Sequence, residues 1–213
     1  MDPVNINALD IRSFAAGASV PFGALCYRTE DGVVKPTLTG AKYDYVGVAV
    51  EDQIRRETNP GFYAEKDLMP LITAGLAKVW LLGGDVVTAG GFVKIPGTLG
   101  AGTENLGVVG KETTVTTRTA ASVGRAVEDA GDSDFDQDVS SISGKTLTIA
   151  NLSSLDLKIG DRVVIDSDEA AEFNVIDDPA ATSTSCNLMN TPNASHSTNI
   201  KIYKLVQLGV VLI

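Results

Sequence analysis

At 213 residues and 44% hydrophobic content, the chain can bury a real core in one large or two small domains, which excludes wholesale disorder. Its formal net charge of -10 argues against nucleic acid, whose binding needs Lys and Arg to displace phosphate counterions, and against anionic membranes. Such a surface suits a soluble protein, or one that docks on a basic or neutral protein surface. Aromatic residues make up only 6%, so the core rests on Val, Leu, Ile and Ala; 21 Gly and 8 Pro favour short strands and tight turns. The first ten residues lack the basic and apolar regions of a signal peptide, and no run of about 18 apolar residues is present to span a membrane.

In chain order, residues 1–20 carry Ile6, Leu9, Ile11 and Phe14 as scattered apolar points that fit neither a helix nor a strand. They read either as a partly ordered terminus or as an arm across a partner, with those four side chains as its contacts. Strands are expected at 24–28 and 33–38, the second interrupted by Pro36 as suits an edge. The stretch 46–52 then reads Val-Gly-Val-Ala-Val-Glu-Asp and returns at 123–129 as Val-Gly-Arg-Ala-Val-Glu-Asp, differing only at Val48 against Arg125. In a regular strand Val46, Val48 and Val50 share one face, and Gly47 and Ala49 the other, where a second backbone can approach. The echo suggests a barrel or sandwich of two related halves.

Residues 51–63 read as a surface loop, and 68–72 and 77–82 as two strands divided by Thr73-Ala74-Gly75. Trp80, the only tryptophan, is expected to anchor the core. Short strands follow at 86–88 and 92–95, then a flexible 97–102 and a Thr/Val run at 113–119. The alternating acids of 132–138 read as a linker; a calcium site is the weaker alternative, because the glycine and closing Glu of a calcium loop are absent. Strands at 145–150, 162–166, 172–176, 186–189 and 200–203 form a second small unit with a polar loop at 177–185. The apolar 205–213 needs a sheet to cover it and is placed back in the first unit. The fold class is therefore mainly β: a barrel or sandwich body, 21–131 plus 205–213, with a small β-barrel domain, 139–204, inserted before the last strand. Residues 1–20 precede it as the N-terminal arm.

The inventory of chemistry is thin. Cys26 and Cys186 show neither metal nor disulfide-framework spacing and read as buried free thiols, with a single bridge as the alternative. His196, the only histidine, adjoins Ser195, but sequence neighbours in a strand point apart and form no triad. The pairs Glu51-Asp52 and Glu128-Asp129 read as turn chemistry rather than acid–base pairs. No catalytic residue, metal site or cofactor is assigned, and the chain is not expected to be an enzyme.

The segments 45–52, 67–79 (Asp-Leu-Met-Pro-Leu-Ile-Thr-Ala-Gly-Leu-Ala-Lys-Val), 87–94 and 123–130, with the apolar tail, together resemble the capsid cement, or decoration, proteins of tailed viruses. The resemblance covers about 20–131 plus the tail. It implies a structural virion protein, assembled in the host cytoplasm, that stabilises the outside of an icosahedral head. The implied partner is the major capsid protein and the implied state a homotrimer, with no nucleic acid and no membrane. Residues 157–166, with Glu172, Val175 and His196, are similar to small β modules of virion proteins but lack a glycine after His196. A receptor- or glycan-binding module on the virion, or a tail or baseplate component, are the alternatives.

Overall fold

The computed structural model describes residues 10–36, 45–50, 62–96, 106–112 and 122–212. The readings for 97–102 and 113–119, the 51–63 loop up to residue 61, and the contact residues Ile6 and Leu9 lie outside them; the end of that loop, Phe62–Tyr63, is instead a short strand with Tyr63 buried. The body strands are β1 (Asp10–Ala15), β2 (Val20–Pro21), β3 (Leu25–Arg28), β4 (Val34–Pro36), β5 (Tyr45–Ala49), β6 (Phe62–Tyr63), β7 (Leu68–Leu81), β8 (Phe92–Lys94), β9 (Gly110–Lys111) and β10 (Ser122–Ala126). Then come β11 (Asp136–Ser143), β12 (Thr146–Ile149), β13 (Arg162–Asp166), β14 (Ala171–Thr182), β15 (Ser185–Leu188) and β16 (Lys201–Lys204), which close into a six-stranded barrel. The last strand, β17 (Val206–Leu212), returns to the body between β7 and β10. The chain is thus mainly β, with a small barrel inserted before the final strand.

The body is one sheet ordered β4-β3-β5-β7-β17-β10-β8-β9, with β1 added on β7. β7 is 14 residues long, where the sequence suggests two strands. It continues because its first half pairs with β1 and β5 and its second half with β17. Gly75, at φ 96, supplies the left-handed residue where the pairing changes hands. Each half curls back on itself and is joined by one parallel bridge, Ala16 to Val34 in the first and Leu81 to Val109 in the second.

The two halves are copies. In chain order the first runs β1, β3, β4, β5 and the start of β7; the second runs the end of β7, β8, β9, β10 and β17. The registers superpose residue for residue. Val48 and Ala49 face Ile72 and Leu71, as Arg125 and Ala126 face Val211 and Val210. The same bulge interrupts β3–β5 and β8–β10, skipping Val46 and Val123. The turn bonds repeat too: Gly23 N donates to Ala49 O at 2.8 Å, and Gly90 N to Ala126 O at 2.8 Å. Gly23 and Gly90 sit at φ 78 and 80. The inward residues of the first core, among them Phe14, Ala16, Cys26, Val34, Met69 and Leu71, match Val79, Leu81, Val93, Val109, Leu208 and Val210 in the second.

Two sequence expectations change here. Val46 and Val48 do not share a face, because the bulge turns Val46 into the first core while Val48 packs with the second. The one mismatch of the echo follows: Val48 is buried between the halves, whereas Arg125 is exposed and lies over the Phe92 ring at 4.1 Å. Residues 10–15 are not a free arm. They form β1, which Ile11, Ser13 and Phe14 hold in register with Ile72, Pro70 and Met69.

The inserted barrel fills its own core with Leu147, Ile149, Val163, Ile165, Ile176, Leu188 and Ile202, all fully buried. Its first strand lies in the stretch read as an acidic linker. Asp132 caps a single 3-10 turn through a 2.9 Å bond from Asp134 N. Asp136 and Asp138 then sit two apart on β11, both within reach of Lys201 on β16. β14 also runs on to Thr182, through residues read as loop, because β15 pairs with it as a hairpin.

The strand copies depend on glycines where backbones touch. A Cβ at Gly47 would overlap Ile72 O, and one at Gly124 would overlap Val210 Cγ1. Gly124→Ala is expected to cost about 2 kcal/mol or more by overpacking. Gly144→Ala, at φ 58 with nothing within 4 Å of the new Cβ, is expected to cost only about 1 kcal/mol of left-handed strain. Urea unfolding of the two variants checks the difference; equal losses would contradict it.

Candidate functional site

Two features of the surface stand out, and both lie on the outer face of β7. The first is the junction with the inserted barrel. Pro21-Phe22-Gly23-Ala24 is a type II turn, closed by Ala24 N donating to Pro21 O at 3.0 Å with Gly23 in the left-handed region. Such a turn presents its middle carbonyl outward. Phe22 O accepts from Trp80 Nε1 at 2.6 Å and from Arg162 Nη1 at 2.9 Å. The Arg162 guanidinium stacks over the Trp80 ring at 4.7 Å from its centroid. Gly23 is needed twice, for its φ and because a Cβ would meet Trp80 Nε1 at 2.7 Å.

Apolar packing backs this clasp. Leu82 and Val108 of the body meet Val164 and Leu205, with Trp80, Phe173 and Tyr203 against them. Val164 shows why the middle of β13 is apolar on both faces: Val163 and Ile165 face the barrel core, and Val164 faces the body. Phe62 and Phe173 add an edge-to-face contact at 4.9 Å. Trp80 therefore belongs to the junction, half-buried, rather than to either body core. Beside it lies a cleft of about 300 Å³, lined by Val48, Ile72, Leu76, Lys78, Trp80 and Arg162 among others.

The second feature is the uncovered part of the same face. Trp80 is covered by the inserted barrel, but Leu76 is 47% exposed and Leu68 64%. Leu76 faces Val211 across the β7–β17 pair, and Ile72 faces Ile11 across β1–β7. Val127 is also exposed, and Gly209 lies between its side chain and that of Leu76. Of the four residues read as partner contacts, Ile11 joins this patch at 52% exposure. Phe14, three residues on and so on the opposite face of β1, packs against the first core instead. Ile6 and Leu9 are outside the described residues.

Other polar groups among the described residues make local hydrogen bonds. Glu128 Oε1 accepts from Gly209 N at 3.0 Å and Asp129 Oδ1 from Ala89 N at 2.8 Å, so this acidic pair ties loops to strands. His196 Nδ1 lies 3.0 Å from Ser167 Oγ. That hydroxyl is buried and also accepts from Glu169 N and Ala170 N, the pattern of a turn rather than of a nucleophile. Asp166 next to it is pushed up to about 6, first by burial and then by the Asp168 carboxylate. Glu169 is held down to about 2, mainly by the Ser197 hydroxyl. Cys26 and Cys186 are buried free thiols, and burial pushes both up, Cys186 to about 11. Among the described residues no group of three or more His, Cys, Asp or Glu side chains could hold a metal ion, and no helix is long and apolar enough to cross a membrane.

Sequence reasoning missed the clasp. The turn was readable from Pro21 and Gly23, and Trp80 was conspicuous as the only tryptophan. Nothing in the sequence ties Arg162, 140 residues away from Phe22, to that carbonyl. Comparison with known proteins adds no assignment: neither a protein-family model nor a curated protein sequence matches the chain.

Arg162→Ala removes a charge-assisted hydrogen bond and a stacked cation, together about 2 kcal/mol at the junction. The expected outcome is a shift in Trp80 emission and an earlier melting transition, monitored by fluorescence and calorimetry. Arg162→Lys should not restore either, because an ammonium cannot reproduce the planar stack.

Proposed function

We propose that this chain is a structural protein of a tailed-virus head that decorates the outer shell, binding the major capsid protein as a homotrimer. The observation that carries the reading is the uncovered apolar patch of Ile11, Leu76, Val127 and Val211 on the rigid two-copy body. One end of the β7 face is buried by the inserted barrel and the other end offers the same kind of surface without a cover. Apolar patches of this kind mark contacts with other proteins. The motifs at 45–52, 67–79, 87–94 and 123–130 that resemble cement proteins all fall in this body. Many identical weak contacts summed over an oligomer give tight attachment without a single strong site, and closed cyclic symmetry is the usual arrangement for such copies. The net charge of -10 favours a basic or neutral partner face.

The test is co-sedimentation with empty heads of the virus that encodes the chain, with absolute mass by light scattering. Stoichiometric binding as a trimer, formed either before or on the shell, is expected. Ile11→Asp together with Leu76→Asp should lower shell binding at least about tenfold, a loss of 1.4 kcal/mol, while the melting transition stays in place. A monomer that ignores shells, or a double variant that binds unchanged, would refute the reading.

A further inference from the structure

The cleft beside the clasp differs from the exposed patch in shape and charge. Its walls are Phe22, Val48, Ile72, Leu76 and Trp80, while its only charged lining residues among those described are Lys78 and Arg162. Both are cations, in a chain whose net charge is -10. Lys78 is exposed and makes no ion pair among the described residues. Gln207, opposite Trp80 on β17, adds an amide to the same rim. The volume, about 300 Å³, lies at the small end of ligand pockets, which suits a single small molecule rather than a folded partner.

We propose that this cleft binds a medium-length aliphatic carboxylate. The apolar chain would lie against Ile72 and Leu76, where it removes apolar surface from water. The carboxylate would face Lys78 and the Arg162 guanidinium. Lys78 is the flexible cation that can reach the carboxylate, and the Arg162 guanidinium, held on Phe22 O and stacked on Trp80, adds a fixed positive charge beside it. Because the cleft spans body and inserted barrel, the ligand bridges the two. The cleft shares Leu76 with the exposed patch, so the two readings are separated at Lys78, which lines the cleft alone, and at Ile11, which belongs to the patch alone.

Trp80 is the only tryptophan and lines the cleft, so its emission reports occupancy directly. The intact chain is titrated with octanoate, octanol and octyltrimethylammonium, with calorimetry in parallel. Octanoate should shift the emission saturably with one site per chain, and bind at least about tenfold more tightly than either other probe. Lys78→Glu, read by calorimetry, should weaken octanoate at least about tenfold while the chain still melts cooperatively. Three probes that bind alike would reduce the cleft to apolar adsorption and overturn the proposal. So would octanoate affinity unchanged by Lys78→Glu, or no heat and no emission change up to about 10 mM octanoate.

Discussion

One strand, β7, carries the architecture. Its first half is the last strand of one curled sheet and its second half the first strand of the next, so neither copy can form without fixing the start of the other. This sharing explains features that look unrelated in the sequence. The segment from Leu68 to Leu81 is interrupted by Gly75 because the pairing partners change there. The tail from Val206 to Leu212 is apolar because it fills, in the second copy, the place that Leu68–Ile72 hold in the first. The inserted barrel enters where the second copy can take it, between β10 and β17, and the corresponding link of the first copy lies between β5 and β7.

The repeated heptapeptide was the most informative signal in the sequence, and its physical basis is the close approach of backbones at Gly47 and Gly124. A glycine there cannot drift, so the motif stays legible when the rest of the copies has diverged. The hydrophobes around it differ between the copies, Cys26 against Val93 and Ala16 against Leu81, because each core is packed by its own set of side chains. The face pattern drawn from strict alternation failed at Val46, since a bulge shifts parity and leaves no mark in composition. The acidic run at 132–138 was misjudged for a related reason. Alternating Asp residues read as solvated linker, yet a period of two is also the period of a strand whose outer face meets a lysine, here Lys201.

The outer face of β7 was less legible than the core. Leu76 and Trp80 share its alternation and look alike as apolar strand residues, but one lies open and the other lies under Arg162 from a distant strand. Long-range partners of this kind are set by how two units dock, and a single sequence encodes that only through shape. Arg162 does its work by position: it accepts nothing, shares the Phe22 carbonyl with Trp80 Nε1, and puts a cation on the rim of an apolar cleft. The same contact that orients the inserted barrel therefore shapes the surface next to it.

Native-state hydrogen exchange along β7 tests the shared-strand architecture most directly. If the two copies stand or fall together, the amides of Met69, Leu71 and Ile72 and of Ala77–Leu81 exchange through one opening of the body with the same free energy. Two openings, separated by more than about 1 kcal/mol and each confined to one half of the strand, would show instead that the copies are independent units joined end to end.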